Sequence, residues 1–415
     1  MQRLRAFLGS PQFPIFMIVF VDVLGVGITL PVLPLYAQGA FHATPFQITL
    51  MASVYFAAQF FASPQLGRLS DRYGRRPILI LSQAGTFLAL LLSGAAPALA
   101  WLFVARLIDG LTGGNVSVAQ AYLSDITTAH NRARGLGLVS GAFAAGLIFG
   151  PAFGALVAGS FGPRLPFFLA AAVSTLTVTL SWRLLPESLT PETRAAYAAR
   201  AAERRESRQT GWRNTAWAGV LRLSGVPTLM LIGFLSQITF FSFQAVYVLW
   251  AEAALFPGHD QNFVQTAVGY MLTFVGVVGI ITQFWLVGPL VRRFGERSMV
   301  TTGAVVRGLG WAVMAFVPAL PVVLAVLPLI PFGGNVAVPA LLALLTYLAP
   351  SDQRGFAIGL MESIQGLGRI TGPLIAGWLF EQFHPSAPML FAAVGSVLTV
   401  LAALQIKAPH HTARH

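Results

Sequence analysis

Residues Gly67 to Arg76 read G-R-L-S-D-R-Y-G-R-R, and an altered copy, G-P-L-V-R-R-F-G-E-R, occupies Gly288 to Arg297, 221 positions later. Two glycines, one leucine and two arginines keep their places in both. Each polar stretch is wedged between apolar runs of roughly twenty residues, the length that crosses ~30 Å of hydrocarbon. Such runs recur down the whole chain. A charged connection between apolar segments, present once in each half, constrains the fold to a duplicated bundle of membrane-spanning helices.

Composition agrees. Of 415 residues 56% are hydrophobic and 10% charged, where a soluble chain carries about a quarter. The net charge of +12 would suggest nucleic acid in a soluble protein. Here the basic residues fall on one side instead. Arg68, Arg72, Arg75, Arg76, Arg132, Arg134, Arg292, Arg293, Arg297 and Arg354 lie in every second connection, whereas 37–46, 94–99 and 254–262 carry no Lys or Arg. This positive-inside asymmetry predicts cytoplasmic termini and no nucleic-acid partner. The chain has no cysteine, which excludes disulfides and thiolate metal sites. The start M-Q-R-L-R, followed by an apolar run without a small-x-small cleavage site, predicts an uncleaved first helix.

The expected fold is all-α and polytopic, with 12 transmembrane helices in two six-helix pseudo-symmetric bundles. Spans are predicted at about 14–35, 46–66, 77–95, 98–123, 135–158 and 165–184, then 227–253, 263–287, 299–317, 320–347, 355–380 and 387–406. Residues 1–184 form the first bundle and 227–415 the second. Between them, 185–226 is a cytoplasmic linker whose Trp212 and Trp217 beside arginines suit a helix in the inner-leaflet interface. Further matches support the duplication. Gly113-Gly114-Asn115-Val116 corresponds to Gly333-Gly334-Asn335-Val336, and Gly146-x-x-x-Gly150-Pro151 to Gly368-x-x-x-Gly372-Pro373. Parallel repeats about an axis along the membrane normal place substrate between the halves near the midplane.

The motif G-x-L-x-D-R-x-G-R-R resembles the signature loop of major facilitator superfamily transporters, between their second and third helices. Gly67 and Gly74 would allow a tight turn and close helix approach. The resemblance implies a gating role for Asp71, Arg72 and Arg76, with Asp71 docking at the start of the eleventh helix; Asp125 opens the next cytoplasmic loop. A second reading has the arginines anchoring the loop to anionic headgroups. Gly146, Gly150, Pro151 and Gly154 in the fifth span resemble the motif of the antiporter branch, with Ala155 where a further glycine is usual. A generic small-residue packing face explains the same letters.

Ionised side chains at mid-bilayer cost at least ~2.5 kcal/mol each, so each needs a partner or a watery cavity. Asp22 in the first span, and Arg106 with Asp109 in the fourth, lie ~12–16 Å deep at 1.5 Å per residue. They are read as a proton site, or else as a permanently ionised pair locking helices together. Phe20 to Tyr36, F-V-D-V-L-G-V-G-I-T-L-P-V-L-P-L-Y, resembles the first helix of tetracycline-type drug–proton antiporters, with Asp22 at their functional aspartate and Arg106 at their fourth-helix arginine. The acid those exporters carry in helix 3 is Ala89 or a neighbour here, and that of helix 9 is Arg307.

The second half holds Arg307, Glu362 and Arg369, giving a balanced interior of three buried-looking acids and three arginines. Substrate-lining candidates are Asn115, Gln120, Gln237, Phe240, Gln244, Tyr247, Arg307, Asn335, Glu362 and Arg369. The expected function is secondary transport: proton-coupled efflux of drugs or amphipathic small molecules, driven by the proton gradient without cofactor or metal. The resemblance implies a monomer in contact with lipid in a bacterial-type inner membrane. A carrier of a metabolite or lipid-like substrate, or a sensor built on the same fold, stands as the alternative. No nucleophile–base arrangement or phosphate loop indicates an enzyme.

Overall fold

A computed structural model describes residues 12–113, 115–127, 132–190, 192–195, 219–350 and 353–406. Among the described residues the regular structure is entirely helical. The first half comprises α1 (Gln12–Phe41), α2 (Pro45–Tyr73), α3 (Arg75–Ala95), α4 (Leu99–Thr112), α5 (Asn115–Ile126), α6 (Arg132–Phe161) and α7 (Leu165–Leu184). The second comprises α8 (Val226–Trp250), α9 (Gln261–Ile281), α10 (Val287–Phe294), α11 (Glu296–Phe316), α12 (Leu320–Val326), α13 (Leu329–Leu348), α14 (Arg354–Gln382) and α15 (Ala387–Leu404). One π-helical turn follows α8 and another joins α9 to α10. In hydrocarbon every backbone N–H and C=O must bond within the protein, which is why apolar runs of this length become helices.

Ten spans among the described residues are long and apolar enough to cross a bilayer. The other two predicted spans differ in instructive ways. Residues 98–123 divide into α4 and α5 at Gly113, where the helix stops. The freed Gly113 carbonyl accepts from the Gln59 amide at 3.0 Å. The second, α14, is 29 residues long but carries Glu362 and Arg369 among several glycines. Large apolar side chains such as Phe61, Phe149, Leu176, Trp285 and Phe316 stand exposed on the helix exteriors, as in a bundle whose solvent is lipid.

The chain separates into two compact units, Met1–Glu206 with Gly258–Thr273, and Ser207–Pro257 with Phe274–His415. In unit 1, α1 and α6 approach backbone to backbone. A Cβ on Gly150 would lie 2.7 Å from the Gly27 Cα, and one on Gly27 would lie 2.9 Å from the Gly150 Cα. Ile15, Ile18, Val19, Leu79 and Leu123 fill the core beneath. Unit 2 repeats the arrangement between α8 and α14. There a Cβ on Gly372 would lie 2.7 Å from the Ile238 carbonyl oxygen. Its core includes Leu229, Met230, Val336, Leu344 and Met361. The stretch containing Trp212 and Trp217 lies outside the described residues.

Candidate functional site

The predicted signature loop is scarcely a loop. Neither Pro64 nor Gly67 ends α2, which continues as helix to Tyr73, and α3 begins at Arg75. Gly74 alone makes the turn, at φ 112°, a conformation closed to most L-residues. It offers no side chain to cap α3, and Glu187 does so instead. The Glu187 carboxylate accepts from the backbone N–H of Arg75 at 2.8 Å and of Arg76 at 3.3 Å, where the helix dipole favours an anion.

Arg75, 5% exposed, is the hub of this corner. Its guanidinium bonds Asp71 at 2.6 Å, the Ser70 hydroxyl at 2.7 Å and Asp125 at 3.1 Å. Ser188 donates to the same Asp125 oxygen at 3.1 Å. Arg76 donates to the Trp182 carbonyl at the end of α7. Thus Gly74, Asp71, Asp125 and Arg76 do come together. Arg72 is exposed, its guanidinium 5.2 Å from the Tyr73 ring centre. Gly67 departs from expectation: it sits inside α2, and a Cβ there would meet nothing within 4 Å among the described residues. Neither a turn nor a close approach calls for it. Arg75 and Glu187 are the members that motif reading overlooks.

Deeper in unit 1, Arg106 and Asp109 lie on one face of α4 and form an ion pair at 3.3 Å. Both are buried. Thr86 of α3 donates to Asp22 of α1 at 3.3 Å, and its hydroxyl also reaches the Asp109 carboxylate. Three helices therefore deliver Asp22, Thr86, Asp109 and Arg106 to one polar cluster. Arg106 further faces the Tyr55 ring at 5.9 Å, while Gln59 holds the Tyr55 hydroxyl at 3.1 Å. Ala89 is fully buried; the polar group facing the acids from α3 is Thr86, one turn earlier.

Gly146, Gly150, Pro151 and Gly154 are all buried. The three glycines form the α6 face that receives Phe20, Leu24, Gly27 and Ile28 of α1. Ala155 meets Gly269 of α9, where a Cβ would collide with it. The motif is thus a close-packing seam.

The lining candidates of unit 2 divide. Gln237 reaches Gln365 at 3.5 Å, and Gln244 is half-buried. Tyr247, 2% exposed, stacks between Phe243 and Trp250 as core. Asn335 donates to the Gly279 carbonyl at 2.8 Å, tying α13 to α9. Glu362 is not buried as expected: its side chain is 63% exposed and pairs with Arg369 at 3.7 Å. Arg307 is buried, with Trp311 at 4.7 Å and Phe240 at 5.9 Å from its guanidinium. Gln120 is exposed, and the Asn115 side chain lies outside the described residues. Among the described residues no group of three or more His, Cys, Asp or Glu forms a metal cage.

Comparison with known proteins places this geometry. The family model of the Major Facilitator Superfamily matches residues 15–257 and 229–415. The tetracycline resistance protein, class C, of Escherichia coli is 31% identical over 382 residues, covering 92% of each chain. Multidrug resistance protein 2 of Bacillus subtilis (strain 168) is 29% identical over 392 residues, again covering 92% of each. The crystal structure of the nucleoside transporter NupG superposes on 96% of this chain and 100% of its own with a TM-score of 0.72 at 16% identity, a likeness of fold. The duplicated helical units, the polar corner at Gly74 and these matches agree that this multi-pass membrane protein, a transporter and not an enzyme, belongs to the Major Facilitator Superfamily.

Proposed function

We propose that the chain is a proton-coupled exporter of amphipathic small molecules, with Asp22, Asp109 and Arg106 as its proton site. The observation that carries this reading is the convergence of two carboxylates and one guanidinium on Thr86. With both acids ionised, the two carboxylates and one guanidinium sum to a single negative charge. Taking up a single H⁺ makes it neutral, and a neutral cluster is cheaper to hold inside a bilayer. Protonation also changes what Thr86 and Arg106 bond, which couples charge to helix packing. The relatives' names, tetracycline and multidrug resistance proteins, support drug-like cargo. In this reading the proton gradient is the energy source and no cofactor takes part. Twelve helices span an inner membrane, both termini are cytoplasmic, and the monomer surrounded by lipid is the working unit. The corner at Asp71, Arg75 and Asp125 serves the cytoplasmic gate.

The test is uptake into inside-out proteoliposomes with and without an imposed pH gradient, using tetracycline and a panel of amphipathic dyes as probes. Wild type should accumulate at least one probe only with the gradient. Asp22→Asn and Asp109→Asn should each abolish gradient-driven accumulation. An Asp22→Asn protein as fast as wild type would sink the assignment.

A further inference from the structure

The internal repeat shows what Arg307 replaces. The offset of 221 that aligns Gly67 with Gly288 also aligns Thr86 with Arg307. On the partner helices, Gly146 packs against Phe20 and Leu24, and Gly368 packs against Phe234 and Ile238, so Asp22 corresponds to Ser236. Unit 1 thus has a hydroxyl donating to a carboxylate. At the same place in unit 2 a guanidinium donates to the Ser236 carbonyl at 3.0 Å and reaches the Thr239 hydroxyl at 3.4 Å. The cation has been gained and the acid lost.

Arg307 is 5% exposed, and among the described residues no carboxylate lies within ion-pair distance of it. Its Nε–H is buried without a hydrogen-bond acceptor. A guanidinium keeps its proton at any physiological pH, so the charge cannot be relieved by titration as a lysine's can. Aromatic faces compensate only part of it. Beside Arg307 is a cavity of about 10 Å³, bordered also by Ser236, Thr239, Ser396 and Thr399. That volume fits one water-sized centre. Thr239 and Thr399 direct their hydroxyl hydrogens to the Leu235 and Gly395 carbonyls, and Arg307 is the one cation among the residues that border the cavity. Gly303 and Gly333 let α11 and α13 meet closely around it, with Arg307 passing over Gly333.

We infer that unit 2 contains an anion site at Arg307, between α8, α11, α13 and α15, which takes a monatomic anion or one end of a carboxylate in place of the acid that unit 1 supplies from α1. The bound anion completes the charge balance of unit 2. Where it is a carboxylate, it marks the cargo as anionic or zwitterionic. The site stands on unit 2 alone and does not depend on the proton site of unit 1.

The experiment uses the purified full chain in detergent. Isethionate, whose three-oxygen sulfonate head is bulkier than a carboxylate, is exchanged stepwise for chloride or for formate at constant sodium and ionic strength, and the unfolding temperature is read by tryptophan fluorescence. A saturable rise with chloride alone identifies an inorganic anion, and one with formate identifies a carboxylate; either supports the site. In Arg307→Gln the rise should vanish, while in isethionate this variant should be at least as stable as wild type because the uncompensated charge is gone. Ser396→Ala and Arg307→Lys test the same point if that protein does not fold. Arg307→Lys should raise the half-saturating concentration about tenfold, the scale of a charge-assisted hydrogen bond. Equal stability in all three salts, an undiminished rise in Arg307→Gln, or an unchanged half-saturating concentration in Arg307→Lys overturns the inference.

Discussion

Thr86 donates to Asp22 at 3.3 Å, and this hydrogen bond joins α3 to α1 in the middle of unit 1. The same hydroxyl reaches Asp109. A hydroxyl has a single hydrogen to give, so it serves one of the two acids at a time.

Replacing Thr86 by Val keeps the shape and removes that donor. Gradient-driven transport should fall about tenfold or more, since a hydrogen bond to a charged group is worth ~1.5–3 kcal/mol. The pH profile of transport should change with it. Thr86→Ser should restore both, and the comparison of the two profiles in proteoliposomes is the check. A Val variant with an unchanged rate and profile would remove Thr86 from the proposed proton site.

Arg75 ties Asp71, Ser70 and Asp125 together while nearly buried. Removing it leaves Asp125, whose side chain is 16% exposed, without its cation. Breaking a buried pair costs ~3–5 kcal/mol, and the partial exposure of Asp71 puts Arg75→Gln at the low end, about 3 kcal/mol. Exposed Arg72, two residues from Gly74, should change stability by no more than about 0.5 kcal/mol when made Gln. Thermal unfolding in detergent separates them, and an equal loss in both would contradict the hub.

The fold was legible because its signals are long and redundant: span-length apolar runs, one-sided arginines and a duplication with a nearly constant offset. That Asp22, Arg106 and Asp109 meet in one cluster was legible as well, because a charge deep in hydrocarbon calls for a partner. Thr86 was not. A threonine in an apolar helix ordinarily bonds its own i−4 carbonyl, and nothing in the sequence says that this hydroxyl reaches across to α1. Arg75 was hidden by the repeat, which holds Glu296 in its place, so comparing the halves discards it. Tyr247 misled in the opposite sense: polar aromatics suggest a ligand platform, but here neighbouring Phe243 and Trp250 are close enough to stack on it.

The seam of α1 and α6 distinguishes glycines that packing requires from one that it does not. A methyl on Gly150 would press against the Gly27 Cα and the Leu24 carbonyl, at 2.7 and 2.8 Å. Backbone cannot swing aside, so Gly150→Ala should cost about 1–3 kcal/mol. Gly67→Ala, mid-helix with nothing within 4 Å among the described residues, should gain up to about 1 kcal/mol from helix propensity. Opposite shifts in unfolding temperature are expected. A loss at Gly67 as large as that at Gly150 would mean that Gly67 meets something in the folded protein beyond those residues.

Arg76 and Arg297 are the last arginines of the two repeated decapeptides, and the repeat preserves their task as well as their letters. Arg76 donates to the Trp182 carbonyl at the end of α7, and Arg297 donates to the Leu404 carbonyl at the end of α15 at 2.7 Å. Each satisfies a carbonyl that a helix terminus leaves open and sets a cation against the negative end of the dipole. Either change to Ala should therefore lower stability by about 1 kcal/mol. The two share no partner, so the double variant should lose the sum within about 0.5 kcal/mol. Substitution by Lys, which keeps the charge on a single ammonium, should recover part of each loss. Unfolding temperatures of wild type and these variants decide it: if Arg76→Ala destabilises and Arg297→Ala does not, the decapeptide is structural in the first unit alone, and its second copy keeps Arg297 for some other reason.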